Sequence, residues 1–374
     1  MMRKILSPEE EENENNRWLM GKMRKTRKRP FTIEKTRGVY DMSSETRGWC
    51  LIFSNHVFKY LEKLLGYERD KEYFEIVFTD LGFRVKIFEK VTAEEMKSNI
   101  QKYANMSASD GLQPTNAFVV VILSHGGENY LCGVNFSEKD RSDKISVTEI
   151  IDILSNQNCP HLIGKPKIIC LQACRGNKFD LGLNNDFPSK NKHQDINPTP
   201  TATTLRSGKK LHYDEMDDKI RILPSVVEDM MISYATTLNY ASYVPLTGSI
   251  FGVQLCVHLK RYAWNRDLHD IMLSVSNALR SKDIIIDEKI SGKQVLEINY
   301  ISPTKKLYFN PGYFKSNVSS TSASTSHSND INVQGVQGEE SKKNIISSDQ
   351  PNESIANVNA EKVEPDRKHD DIFP

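Results

Sequence analysis

Long apolar runs are missing from this 374-residue chain, and none approaches the roughly 20 residues that a membrane-spanning helix needs. Excess charge of either sign is missing too. A formal net charge of +1 argues against any global attraction to nucleic acid or a membrane surface. The amino terminus, Met1-Met2-Arg3-Lys4-Ile5-Leu6 and then an acidic stretch, has no apolar core of the kind a secretory signal carries, so a cytoplasmic location is expected. The six cysteines, Cys50, Cys132, Cys159, Cys170, Cys174 and Cys256, form no Cys-x-x-Cys pair and have no His-x₃-His companion. That pattern is neither a disulfide framework nor a zinc site, and neither metal nor cofactor is expected. One local shortage matters more: no lysine or arginine occurs between Arg221 and Lys260.

What remains allows one large domain of about 250 residues with tails. Residues 1–35 are charged and non-periodic, running from acid into Lys22, Arg24, Lys25, Arg27, Lys28 and Arg29, and are expected to be a disordered arm. From residue 36 onward apolar patterns for strands and helices alternate. Trp49-Cys50-Leu51-Ile52-Phe53 reads as a strand. Phe74, Phe78 and Leu81 lie at helical spacing before Gly82, and residues 83–88 alternate as a second strand. Thr92 with Glu95, and Ser146 with Glu149, make capping boxes for two further helices. Phe118-Val119-Val120-Val121-Ile122-Leu123 and Lys167-Ile168-Ile169-Cys170-Leu171 are continuous enough to be strands buried on both faces.

Residues 177–221 interrupt the pattern with Asn-, Lys-, Pro- and Thr-rich text, an exposed connector of the kind used for function or cleavage. Order resumes with Met230-Met231-Ile232-Ser233-Tyr234. Helices are expected near residues 251–264 and through Leu268, Ile271, Met272, Val275 and Leu279. A last strand is expected over residues 295–301, and Leu307-Tyr308-Phe309 is expected to close the core. From residue 315 the Ser/Asn/Thr/Glu-rich text reads as a disordered tail. The β-α alternation calls for an α/β fold: a mostly parallel sheet with helices on both faces, and chemistry at the carboxyl ends of its strands.

Two buried strands end in groups with chemistry. The first delivers Ser124-His125-Gly126. The second, about fifty residues on, delivers Gln172-Ala173-Cys174-Arg175-Gly176. A cysteine hydrolase needs such a pair: a thiol nucleophile and a base to hold its proton. The pentapeptide and its histidine spacing are the caspase signature. Residues 40–309 resemble caspases, cysteine endopeptidases that cut after aspartate. Tyr40-Asp41-Met42, Arg47-Gly48, Leu81-Gly82-Phe83, Gly164-Lys165-Pro166-Lys167 and Leu307-Tyr308-Phe309 all fall in the family's order.

The resemblance implies a six-stranded sheet, with a large-subunit region at residues 36–176, an intersubunit linker at 177–221 and a small-subunit region at 222–314. It also implies pairing with a second caspase chain through the small-subunit edge, a short executioner-type prodomain, and a role in apoptosis. In mechanism, His125 would accept the Cys174 proton and return it to the leaving amine, while backbone N–H groups of Gly126 and Cys174 hold the oxyanion. Ala241, Ser242 and Tyr243 would line the substrate, and Asp186 would be the activating cleavage point, with Asp180, Asp195, Asp214, Asp217 and Asp218 as further candidates.

Family members also clamp the substrate's P1 aspartate between a glutamine and two arginines. Gln172 supplies the glutamine. The first arginine opens a pattern Arg-x-Gly-[Ser/Thr]-x-x-Asp, which here reads Leu64-Leu65-Gly66-Tyr67-Glu68-Arg69-Asp70, so Leu64 stands in its place. The second follows an aromatic, and here Val244 follows Tyr243. Three readings follow: a weak or inactive decoy that regulates an active caspase by dimerisation, an endopeptidase with an altered P1 preference, or an aspartate-specific caspase whose cation comes from elsewhere. Peptide or protein substrates belong to the last two. No nucleic-acid or membrane partner is expected.

Overall fold

The computed structural model describes residues 8–26, 38–106, 116–181, 224–287 and 290–313. In chain order the elements are α1 (Pro8–Met20), β1 (Gly48–Ser54), α2 (Tyr67–Asp80), β2 (Arg84–Glu89), α3 (Ala93–Ala104) and β3 (Ala117–Leu123). There follow β4 (Gly126–Gly127), β5 (Tyr130–Cys132), β6 (Lys144–Ser146), α4 (Val147–Ile153) and β7 (Lys167–Gln172). The carboxyl-terminal third supplies β8 (Met230–Tyr234), α5 (Ile250–Tyr262), α6 (Leu268–Arg280), β9 (Ile284–Asp287), β10 (Ile290–Gly292) and β11 (Glu297–Ile301).

Six strands form the main sheet in the order β11-β8-β7-β3-β1-β2. All neighbours are parallel except β11, which runs antiparallel to β8 at one edge. Successive side chains of a strand point to opposite faces, and the core divides accordingly. Cys50, Ile52, Val119, Val121, Ile168, Cys170 and Met231 face α2, α5 and α6. Leu51, Phe53, Val120, Ile122, Ile169, Leu171 and Ile232 face α3 and α4. Both capping boxes form: the Thr92 and Ser146 hydroxyls accept from the amides of Glu95 and Glu149, whose carboxylates reach back.

The arm is the main departure from the sequence reading. Expected to be disordered, it holds α1, whose Leu19 is fully buried against the face of α2 and α5. The connector also begins later than expected. Lys178 and Asp180 are bridged to Tyr240 and Lys293, so residues 177–181 belong to the folded body. The rest of the linker, with Asp186, Asp195, Asp214, Asp217 and Asp218, lies outside the described residues, as does the tail from residue 314.

Beneath α2 sits a fully buried carboxylate. Asp70 Oδ1 accepts from the Ser249 amide at 2.9 Å, while Oδ2 has no partner among the described residues. Burial pushes its pKa up from 3.8 to about 7, against the lowering effect of the Ser249 hydrogen bonds. The folded chain therefore prefers the protonated acid. That contribution is fully present below pH 3.8 and is lost as pH rises through about 7. Asp70→Asn is expected to abolish the decline and to be more stable than wild type at pH 8, by on the order of 4 kcal/mol. Thermal melts of both proteins from pH 4 to 8 measure this. Parallel curves would show that Asp70 does not titrate in that window.

Candidate active site

Strand register brings the sequence-predicted pair to one edge of the sheet. β3 and β7 are adjacent and parallel with Leu123 opposite Gln172, so the residues just beyond them, His125 and Cys174, leave the sheet at nearly the same level. The chain after His125 turns into a small sheet of β4, β5 and β6, and Gly126 is pressed against the other segment. A Cβ at Gly126 would lie 3.0 Å from Ala173 Cβ and 3.2 Å from the Cys174 carbonyl oxygen. Glycine is what lets the Gly126 backbone come this close to Cys174, where an oxyanion would need its donors.

His125 is oriented by a backbone group. Its Nε2 lies 2.9 Å from the Glu62 carbonyl oxygen. A carbonyl only accepts, so the proton resides on Nε2 and Nδ1 keeps the lone pair of a base. Phe58 packs edge-on against the ring at 4.7 Å. Burial pushes the imidazole pKa below its ordinary value, opposed by the Glu62 carbonyl and by the charges of Glu62 and Glu138. At neutral pH the ring is thus an uncharged base.

The thiol is held by Ser242. The Ser242 amide donates to Cys174 Sγ at 3.3 Å, with the Ser242 carbonyl oxygen at 3.7 Å and its hydroxyl at 3.8 Å. Among the described contacts no hydrogen bond joins Cys174 directly to His125. Unliganded catalytic pairs often stand apart in this way and tighten on binding substrate. The segment expected to line a substrate is engaged internally. The Ala241 amide donates to the Lys178 carbonyl, Ser242 to the thiol, and Tyr243 to Gln294 Oε1 at 3.0 Å.

The residues expected to form a P1 pocket, Gln172, Leu64 and Val244, lie in one part of the core. Gln172 is fully buried, and its Nε2 donates to Ser242 Oγ at 3.2 Å and to the Tyr67 hydroxyl at 3.5 Å. Leu64 and Val244 are half-buried and pack on the same core cluster. Gly66, two residues after Leu64, packs against the Val244 segment: a Cβ there would meet Val244 Cγ1 at 2.9 Å and the Pro245 carbonyl. Two arginines close to these positions in sequence are engaged with carboxylates. Arg69 is exposed and pairs with Glu72 at 3.1 Å, while Arg175 pairs with Glu297 at 2.5 Å and stacks on Tyr234.

Sequence reasoning missed Glu62, Phe58 and Tyr67. Glu62 acts through its backbone, which leaves no side-chain signal. Tyr67 did carry one, as an aromatic where the caspase pattern places serine or threonine.

A half-buried thiol and imidazole at the carboxyl ends of adjacent parallel strands, with a close-packed glycine beside them, are the makings of a site of the cysteine-hydrolase class. Residues 47–308 match the family profile described as the caspase domain. Rat caspase-1 is 28% identical over 263 residues, 70% of this chain and 59% of that protein. Mouse caspase-8 is 26% identical over 285 residues, covering 73% and 53%. Mouse caspase-4 is 30% identical over 284 residues, covering 75% and 69%. The chain belongs to the caspase family. It spans less than two thirds of the caspase-1 and caspase-8 relatives it matches. Among the described residues no helix is long and apolar enough to cross a membrane.

Proposed function

We propose that this chain is a regulatory caspase that cleaves after aspartate weakly or not at all and acts by pairing with an active caspase, in the cytoplasm and in apoptosis. The observation that carries this reading is the wall of Leu64 and Val244 where the family's two arginines belong, with Arg69 and Arg175 tied to Glu72 and Glu297. A carboxylate buried there without a cation costs about 3–5 kcal/mol, a loss of roughly 10²- to 10⁴-fold in kcat/KM. Gln172 is a neutral donor and does not replace the missing charge. The internally bonded amides of residues 241–243 weigh in the same direction.

One observation favours a second reading. His125 keeps the tautomer a general base needs, set by the Glu62 carbonyl, and a pure decoy has no use for it. The second reading is therefore a cysteine endopeptidase that accepts an uncharged P1 residue, with Cys174 as nucleophile and Gly126 and Cys174 as oxyanion donors.

A peptide library varied at P1, with Cys174→Ala as the blank, separates the readings. The regulatory reading expects aspartyl peptides to be turned over at least about a hundredfold more slowly than by an active caspase. Ordinary caspase rates would refute it, and turnover confined to apolar P1 would select the second. Mixing with an active caspase is expected to give a mixed dimer and a changed rate. Absence of association by sizing and co-precipitation would end the regulatory reading. Cleavage in trans within the linker, at Asp186, is part of the same proposal. Asp180 is the poorer candidate because its carbonyl accepts from Lys293 at 2.7 Å.

A further inference from the structure

An aromatic ring of the chain itself meets Gln172 of the candidate pocket. Tyr67 follows Gly66 and begins α2, yet its side chain is only 1% exposed. Its hydroxyl lies 3.0 Å from the Gln172 carbonyl oxygen and 3.2 Å from that of Ser124. Those residues stand just before Ala173-Cys174 and His125, so the phenol sits beneath both members of the pair. Burial pushes the hydroxyl pKa well above its ordinary range, the Gln172 bond opposes this, and negative charge at Cys174 adds to the rise, which places the phenol within electrostatic reach of the thiol.

The surroundings leave little room for another side chain. Gln172 Nε2 has two protons, one directed at Tyr67 and the other at Ser242 Oγ. Its Oε1 is buried with no partner among the described residues, so the amide is locked in place without being fully satisfied. Gly66, the residue before Tyr67, is packed so closely that a Cβ there would lie 2.9 Å from Val244 Cγ1, so the start of α2 lies against the segment that carries Val244.

We propose that Tyr67 is a built-in occupant of the first substrate pocket, taking the space and the hydrogen bonds that a substrate's P1 side chain would take. The pocket then admits a residue with a large side chain only when Tyr67 is moved or replaced. This rests on reading Gln172, Leu64 and Val244 as the first pocket. It goes beyond the missing cations: restoring charge alone would not restore activity, because the cavity is filled.

The test compares three variants whose folding is checked by thermal melting: Leu64→Arg/Val244→Arg, the same pair with Tyr67→Thr, and the same pair with Tyr67→Phe. Phenylalanine keeps the ring and loses the hydroxyl, so it separates occupancy from hydrogen bonding. On aspartyl peptides the double variant and the phenylalanine triple are expected to stay near wild type. The threonine triple is expected to be faster by on the order of a hundredfold. Equal rates for the double variant and the threonine triple, at any level including none, would overturn the proposal.

Covalent labelling of Cys174 gives a readout without turnover. Peptidyl chloromethyl ketones with P1 glycine are expected to label wild type about tenfold faster than those with P1 asparagine, and Tyr67→Thr to close that gap. Equal labelling of wild type by both probes would overturn the proposal. Ordinary aspartyl turnover by unmodified wild type would instead sink the regulatory reading, so the two failures are distinguishable.

Discussion

Replacing Arg47 by methionine is expected to destabilise the folded chain by about 5 kcal/mol, comparable with the whole stability margin of many domains. Arg47 is 1% exposed and forms no ion pair among the described residues. Its guanidinium instead donates to four carbonyls: Met42, Ser44 at 2.8 Å, Asn310 at 3.1 Å, and Tyr313. Burial lowers its pKa to about 10, with Asp41 opposing, so it stays charged at neutral pH. The four acceptors come from the segment before β1 and from the end of the described chain, so this side chain ties together parts far apart in sequence.

Methionine preserves much of the stem's length and removes the side-chain donor from the Met42, Ser44 and Tyr313 carbonyls, while the Asn310 carbonyl keeps the Tyr313 amide. Charge-assisted hydrogen bonds are worth about 1.5–3 kcal/mol each, and their loss here is only partly relieved by water. Arg47→Lys keeps the charge, but a single ammonium lacks the planar fork that reaches several carbonyls, and an intermediate loss is expected. Urea titration at pH 7 measures both. A methionine variant within about 1 kcal/mol of wild type would show that the carbonyls find other donors.

Why this arginine is buried could not be read from the sequence, and the same holds for other features. The strands that deliver His125 and Cys174 were legible because a sheet covered on both faces requires continuous apolar runs, and few other structures do. The capping boxes were legible because both partners lie within one helical turn. What tertiary packing decides was not. Tyr67 shows in the sequence only as an aromatic where the pattern places serine or threonine; the Ser124 and Gln172 carbonyls that meet its hydroxyl arrive with β3 and β7. The short strands β4, β5, β6, β9 and β10 carry too few residues for a periodic signal. Lys167 opens a strand read as buried, but the partners of its ammonium, Asn156, Lys165 and Glu228, come from packing that the sequence does not show.

The arm illustrates the same limit, because its helix gains stability from what it docks on and little from its own pattern. Leu19 is fully buried, Trp18 lies under the Arg261 guanidinium at 4.5 Å, and Asn16 Oδ1 accepts from Tyr73 at 3.0 Å. Just beyond α1 the Gly21 carbonyl accepts from Lys260 Nζ at 2.6 Å, an ammonium that also pairs with Asp80 and is almost wholly buried. Further along, Arg24 stacks on Trp264 at 4.1 Å, and the Thr26 amide donates to the Pro311 carbonyl at 3.0 Å.

Removing residues 1–26 would uncover the Leu19 site and take one of the two partners from a buried ammonium. Burial of one leucine contributes about 1.5–3 kcal/mol, and the lost charge-assisted bond adds about 1.5–3 kcal/mol, offset in part by the entropy of the freed arm. The truncated protein is expected to be less stable by about 2–4 kcal/mol, or roughly 5–15 °C in melting temperature. Leu19→Asp in the full chain should reproduce most of that loss by undocking the helix. An unchanged melting temperature in both would mean that the arm rests on the domain without supporting it. The arm reaches α2 itself through the Asn16–Tyr73 hydrogen bond and through the Lys260 ammonium shared by Gly21 and Asp80, so its removal is expected to loosen that helix as well.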